Sequence, residues 1–114
     1  MVEEHVPVPE RVERAARAAV ARVRERFGTR LRRAVLFGSQ ARGEARADSD
    51  IDLFLLIDEL TQAERGALFE LAGEVSLEHL VRVQAFAPGP EEHAWLRCNE
   101  CRILRDVEAE GIAL

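Results

Sequence analysis

The segment from Ile51 to Ile57 constrains the fold more than any other part of the sequence. It is an apolar run whose opening carries two aspartates, Asp50 and Asp52. A short run of this kind predicts a strand that is covered on both faces, and such a strand is central in its sheet. Because buried carboxylates are costly unless their charge is compensated, the pair predicts a functional site at the start of this strand.

Helical and extended patterns surround the central strand. Apolar residues at spacings of three and four after Pro9 predict a helix that Gly28 ends, and a second helix begins at the capping box Thr61–Glu64. Strands are predicted over residues 30–37 and 80–86, and a last helix begins near Glu91. The order predicts an α/β (α+β) fold, with a small mixed β-sheet flanked by helices.

Length and composition narrow the class of protein. The 114 residues predict one domain over residues 1–114, and the longest apolar run, residues 53–57, is too short to cross a bilayer. The first ten residues lack the basic start and apolar centre of a secretory signal. We therefore expect a cytoplasmic protein with no membrane partner. The net charge of −5 argues against general nucleic-acid binding.

The residues around the central strand favour phosphate and metal chemistry. A strand that ends at Gly38-Ser39 presents backbone N–H groups and a hydroxyl, and glycine allows a ligand to approach closely. Asp50 and Asp52 are two apart, so on a strand both carboxylates leave the same face and can share a cation. Oxygen ligands favour Mg²⁺ or Mn²⁺. Together these features describe a site for a nucleoside triphosphate.

Two short motifs carry a resemblance to a known family. The residues GSQARG at 38–43, followed after a spacer by DSDIDL at 48–53, resemble the signature of the minimal nucleotidyltransferase domains in the superfamily of DNA polymerase beta. The resemblance implies a nucleotidyltransferase fold in which Gly38 and Ser39 hold the triphosphate and Arg42 contacts phosphate. It implies that Asp50 and Asp52 are the catalytic residues that ligate Mg²⁺.

The same resemblance implies a reaction and a partner. A nucleoside monophosphate, AMP if ATP is the donor, passes to an acceptor and pyrophosphate is released. Many small members of the family pair with a helical HEPN protein and act as antitoxins, some of them by transferring AMP to that toxin. A HEPN-type protein is therefore the expected partner and a candidate acceptor.

The sequence departs from the family pattern at one place. Active members usually carry a third carboxylate on a later strand, and the segment VRVQAF at 81–86 contains none. Gln84 or Arg82 is expected there, and neither replaces a carboxylate, since glutamine is neutral and arginine repels a cation. Glu78 is in phase with both on an extended chain, and it would reach the site if the strand began early.

Three classes of function follow from these observations. The first is a Mg²⁺-dependent nucleotidyltransferase. The second is a catalytically weak or inactive protein of the same fold that acts as an antitoxin or regulatory subunit by protein binding. The third is an RNA-binding accessory domain that uses the basic first helix. The segment at 10–33, which includes that helix, holds nine arginines and three glutamates. A solvated helix with paired charges explains the same arginines.

Simpler interpretations exist for several of the singled-out residues. Asp50 and Asp52 are also compatible with a solvated turn before a strand, and Arg42 and Arg46 with a soluble loop. Cys98 and Cys101 have the spacing of half a zinc site or of a redox motif. No second cysteine pair accompanies them and only two histidines lie nearby, so we interpret them as structural or incidental.

Overall fold

The main helices and strands lie close to their predicted positions. The computed structural model describes residues 9–38, 50–89, 91–92, 94, 107–108 and 111–114. The elements are α1 (Glu10–Phe27), β1 (Leu31–Phe37), β2 (Ile51–Ile57), α2 (Gln62–His79), β3 (Val83–Phe86) and β4 (Ile112–Ala113). The bounds of β2 coincide with the predicted strand. The short strand β4 lies in the C-terminal tail, for which the sequence pattern predicts neither a helix nor a strand.

The four strands form one mixed sheet in the order β3-β2-β1-β4. Strand β2 is antiparallel to β1 and parallel to β3, and β4 is antiparallel to β1. The prediction of a small mixed sheet flanked by helices is therefore confirmed. Because β2 has a neighbour on each side, it lies in the interior of the sheet.

Strand β2 is also covered on both faces. Its alternate residues from Ile51 to Ile57 join the main core, which includes the apolar stripes of α1 and α2. On the opposite face, Phe54 packs in a smaller cluster with Val35 and Val107. Phe54 has no exposed surface. This double coverage explains why the strand is apolar at nearly every position.

Helix α1 follows from its sequence pattern. The carbonyl of Pro9 accepts a hydrogen bond from the N–H of Glu13, and Gly28, with φ of 59°, ends the helix. Acidic residues in the first turn and arginines in the last turn complement the helix dipole. None of the helices in the described ranges is long and apolar enough to cross a membrane.

Arg30 ties the end of β2 to the beginning of α2. Its guanidinium donates two hydrogen bonds of 2.8 Å to the carboxylate of Glu64, and others to the carbonyls of Asp58 and Glu59. Glu64 also completes the predicted capping box with Thr61. These contacts fix the turn that follows β2, and therefore the position of the strand that carries the aspartates.

The third strand is shorter than the predicted segment at 80–86. Helix α2 continues to His79, and Leu80 then adopts a left-handed conformation with φ of 54°. The hydroxyl of Ser76 accepts a hydrogen bond of 2.9 Å from the N–H of Val83. The helix therefore ends close to the first residue of β3, and the prediction that the strand starts at residue 80 is wrong.

Candidate active site

The antiparallel pairing of β1 and β2 brings two separate parts of the sequence together. Phe37, the last residue of β1, pairs with Asp52 near the start of β2. Gly38 follows Phe37 directly, and Asp50 lies immediately before β2. The predicted glycine and both predicted carboxylates therefore lie at the same end of these two strands.

Gly38 is in van der Waals contact range of the Asp52 carboxylate. A Cβ atom added to Gly38 would lie only 2.6 Å from Oδ2 of Asp52, and the φ angle of Gly38 is 78°. Both facts favour glycine, because side chains are strained at positive φ and this one would also overlap the carboxylate. We expected Gly38 to allow a ligand to approach, which stays a prediction; the structure shows that it also allows the close approach of Asp52.

Gln84, on the neighbouring strand, contacts one of the two aspartates and lies in register with the other. In the parallel register of β2 and β3, Gln84 is the partner of Asp52. Its side-chain Nε2 donates a hydrogen bond of 2.8 Å to Oδ2 of Asp50. Register partners in a sheet point to the same face, so Asp50, Asp52 and Gln84 share one face. Gln84 therefore occupies the position on β3 beside the carboxylate pair.

An aromatic pair lies next to the carboxylates on this face of the sheet. Phe54 and Phe86 are the next register pair on this face, two residues along each strand, and their rings stack with centroids 6.0 Å apart. Phe54 is fully buried. Asp52 and Gln84 thus lie two residues before this stacked pair on their strands, and the packing of the rings restricts the positions of the strand segments that carry them.

The donor set of the site fits one hard divalent cation. Magnesium is typically bound by one or two carboxylates together with water and substrate phosphates, and Asp50 and Asp52 supply two carboxylates. In the ranges that the structure describes, no group of three or more His, Cys, Asp or Glu residues could hold a metal ion. At this end of the strands, Asp50 and Asp52 are the described carboxylates that could hold Mg²⁺ or Mn²⁺.

Several predicted site residues lie outside the described ranges. Ser39 and Arg42 belong to residues 39–49, as does Arg46, which like Arg42 is also compatible with a soluble loop. Cys98 and Cys101 also lie outside. The predicted roles of Ser39 and Arg42 remain predictions.

Glu78 does not lie on the strand that was expected to carry it toward the site. It belongs to the last turn of α2, and its carboxylate pairs with the guanidinium of Arg22 on α1. The prediction that Glu78 is in phase with Gln84 required an extended chain, and the helix removes that condition. The prediction that Glu78 could serve as a third metal ligand is therefore wrong. Its carboxylate links α2 to α1.

The arginine-rich segment at 10–33 is extensively paired with carboxylates. Arg30 and Glu64 form a pair with two hydrogen bonds. Hydrogen bonds from Arg30, and then from the backbone of Thr61, lower the pKa of Glu64 to about 2. The same contact raises the pKa of Arg30. The other paired arginines of the segment include Arg17, Arg22, Arg32 and Arg33. This pairing favours a solvated, charge-paired surface over an RNA-binding one.

The contact between Gln84 and Asp50 is the feature of the site that sequence reasoning did not find. The only signal available was the lack of an acidic residue in the third strand, which made Gln84 one of two candidates for that position. The choice between Gln84 and Arg82 depends on the register of β2 and β3, which are separated along the chain by the whole of α2. No local pattern fixes that register.

Comparison with known proteins gives one family and several solved structures. The family model described as "Nucleotidyltransferase domain" matches residues 17–111. Among curated proteins, no sequence matches this chain. A solved structure provisionally described as a minimal nucleotidyltransferase is 33% identical; the alignment covers 90% of this chain and 95% of the other, with a TM-score of 0.59.

Two further solved structures come from toxin–antitoxin complexes. One is a toxin–antitoxin with AMP-PNP, 23% identical over 83% of this chain and 68% of the other, with a TM-score of 0.58. The second is a tri-AMPylated Shewanella oneidensis HEPN toxin in complex with an MNT antitoxin. It is 19% identical over 90% of this chain and 70% of the other, with a TM-score of 0.54. At these identities the likeness shows a shared fold.

Proposed function

This chain belongs to the nucleotidyltransferase domain family, and we propose that it transfers a nucleoside monophosphate, AMP from ATP, to an acceptor in a Mg²⁺-dependent reaction. The observation that carries the proposal is the meeting of Gly38, Asp50 and Asp52 at one end of β1 and β2. Two carboxylates beside a glycine turn suit a cation-bound triphosphate.

The proposed reaction is a displacement at the α-phosphorus of the nucleotide. An acceptor oxygen forms a bond to that phosphorus, the bond to the bridging oxygen of the β-phosphate breaks, and pyrophosphate leaves. The acceptor proton passes to solvent. A bound divalent cation would neutralise phosphate charge and align the reacting groups. Asp50 and Asp52 would hold that cation, and Gly38 with Ser39 would hold the phosphates, with Arg42 as a further phosphate contact.

A thermal-shift titration tests the nucleotide site directly. A ligand that binds only the folded state raises its melting temperature, by an amount that grows with ligand concentration. We expect ATP with Mg²⁺ to stabilise the natural protein and to leave the variant Asp50→Asn with Asp52→Asn unchanged. AMP-PNP in place of ATP excludes turnover as the source of the shift.

A charge-matched variant serves as the control. Asp58→Asn with Glu59→Gln also removes two carboxylates, but from the turn after β2, at the other end of that strand. This variant should keep the metal-dependent stabilisation. If neither ATP nor AMP-PNP stabilises the natural protein at millimolar concentration with Mg²⁺, the proposal of a nucleotide site in the isolated chain fails.

For the acceptor, we propose a HEPN-type protein partner. Two solved structures of the same fold are toxin–antitoxin complexes, and one of them contains an AMPylated HEPN toxin. Incubation of the chain with ATP, Mg²⁺ and a HEPN protein encoded by a neighbouring gene should add AMP to that protein. Intact-mass measurement of both proteins would locate the added group, and the Asp50→Asn, Asp52→Asn variant should add none.

A second candidate function is regulation of such a partner by contact alone. The observation that favours it is an exposed apolar surface on α2: Phe69 and Leu77 are 60% and 78% exposed. They are eight residues apart, so they lie about two turns apart and roughly 80° from each other around the axis, within one broad face of the helix. Exposed apolar residues grouped in this way are typical of protein–protein contact. Stable binding of the HEPN protein without any transfer of AMP would favour this function over catalysis.

A further inference from the structure

Gln84 occupies a position from which it acts directly on a candidate metal ligand. It is the register partner of Asp52 on the neighbouring strand, and its Nε2 donates a 2.8 Å hydrogen bond to Oδ2 of Asp50. The side-chain amide therefore contacts one carboxylate and lies beside the other. Any residue at position 84 takes part in the electrostatics of this pair.

The chemistry of the amide limits the charge of the cluster. Asp50 and Asp52 carry two negative charges when ionised, and Gln84 adds none. Two charges are compensated by one divalent cation. A second divalent cation would need further anionic oxygen ligands, and no group of three acidic or other metal-ligating side chains exists among the described residues.

The hydrogen bond also orients Asp50. A donor on Oδ2 restricts the rotation of the carboxylate, and a carboxylate that accepts one hydrogen bond in this way can still bind a cation through Oδ1 and the second lone pair of Oδ2. Asp50 lies just outside β2, where the ladder of backbone hydrogen bonds does not hold it as firmly as Asp52. Gln84 thus supplies from β3 the support that a residue at a strand end lacks.

We propose that Gln84 is a positioning residue that orients Asp50 and limits this site to one divalent cation. The inference rests on the proposed function, because it assigns the cation to the same carboxylate pair. It adds to the proposed function the number of divalent cations that the site binds. It also proposes that the residue at position 84 determines that number.

The test is a count of bound Mn²⁺ in the absence of nucleotide. Free Mn²⁺ gives an electron paramagnetic resonance signal that is lost on binding, so a titration yields both stoichiometry and affinity. We expect the natural protein to bind one Mn²⁺ per chain and Gln84→Glu to bind two. Gln84→Met, which keeps the size of the side chain but removes the donor, should still bind one, about 10-fold or more weakly.

A matched variant separates the effect of position from that of charge. Gln62→Glu makes the same chemical change at an exposed position at the start of α2, and it should leave one Mn²⁺ per chain.

The melting temperature supplies a second readout. Without metal, Gln84→Glu should melt below the natural protein because a carboxylate then faces Asp50, and Mn²⁺ should remove most of that difference.

The outcomes distinguish this inference from the proposed function. Two Mn²⁺ ions, or none, in the natural protein would overturn it, as would an unchanged count of one in a folded Gln84→Glu variant. Equal Mn²⁺ affinity of the natural protein and Gln84→Met would overturn the orienting role. The response of the melting temperature to AMP-PNP is measured separately. If AMP-PNP has no effect while the count rises from one to two, the nucleotide proposal fails and the role of Gln84 stands.

Discussion

Gly38 and Asp52 are placed so closely that the carboxylate occupies the space a side chain at position 38 would need. A Cβ there would lie 2.6 Å from Oδ2 of Asp52. The two residues are fourteen positions apart in sequence and meet because β1 and β2 are antiparallel. The glycine therefore determines where one of the two candidate metal ligands can lie.

Gly38→Ala should damage the site more than it damages the fold. The substitution strains the backbone at positive φ, at a cost of about 1–3 kcal/mol, and it also displaces the Asp52 carboxylate. We expect the Mn²⁺-dependent rise in melting temperature to be lost. The measurement is a thermal-shift titration with Mn²⁺ on the folded variant.

Gly28→Ala is the matched control for Gly38→Ala. Gly28 also has positive φ, 59°, but an added Cβ there would meet no atom within 4 Å. We expect this variant to lose a similar amount of stability and to keep the response to Mn²⁺. Loss of that response in both variants would show that backbone strain alone disables the site, and the specific contact with Asp52 would then not be the cause.

Stability at low pH should depend on the pair of Arg30 and Glu64. The hydrogen bonds from Arg30 and Thr61 lower the pKa of Glu64 from 4.5 to about 2 in the folded protein. Because the folded pKa lies below the unfolded one, the pair stabilises the fold fully above about pH 4.5. That contribution is lost as the pH falls from 4.5 toward 2.

Glu64→Gln should remove this part of the pH dependence. Denaturation curves at several pH values between 2 and 6 should show a smaller fall in the free energy of unfolding for the variant than for the natural protein. Glu70→Gln, at an exposed position of the same helix, is the control and should keep the natural dependence. Parallel curves for the natural protein and Glu64→Gln would contradict the assignment.

The elements that sequence reasoning predicted correctly are those that local patterns determine. The apolar run from Ile51 to Ile57 predicted β2 with its bounds, and the Thr61 capping box located the start of α2. Residue types and spacing also singled out the two aspartates and Gly38, which the structure places at the same end of β1 and β2, while their roles stay predictions. Each of these signals is contained within a few consecutive residues, so no knowledge of tertiary contacts was needed.

The features that were missed depend on contacts between distant segments. Glu78 was considered for the site because an extended chain would have placed it in phase with Gln84, but the chain there is helical and Glu78 pairs with Arg22. The hydrogen bond from Gln84 to Asp50 depends on the register of two strands separated by α2. Two residues of β4 gave too short a pattern for any prediction.

Gly111→Ala should release β4 from the sheet. An added Cβ at Gly111 would overlap both Cγ1 of Val35 and the backbone carbonyl of Val107. Since the Val107 carbonyl also accepts a hydrogen bond from Gly111, the chain cannot move away without losing that bond. We expect a loss of about 1–3 kcal/mol in the free energy of unfolding, by analogy with other overpacked positions.

Hydrogen exchange is the measurement that localises the effect of Gly111→Ala. The N–H of Leu114, which donates to the carbonyl of Ala34, should exchange faster in the variant, while amides at the centre of β2 stay protected. Gly73→Ala, at a helical position with open space around it, is the control and should be neutral or stabilising. Unchanged protection of Leu114 would show that β4 accommodates the methyl group.

The exposed apolar residues of α2 should matter for a partner and not for the fold. Phe69→Ser with Leu77→Ser changes two largely exposed side chains, so the free energy of unfolding should change by no more than about 0.5 kcal/mol for each substitution. If this surface contacts a HEPN-type protein, the double variant should lose co-purification with that protein after co-expression. Gln62→Ser, on an exposed position of the same helix, should keep it. If the double variant co-purifies undiminished, this surface does not contact the HEPN-type protein. Metal-dependent stabilisation of the same variant would show that its carboxylate site is intact.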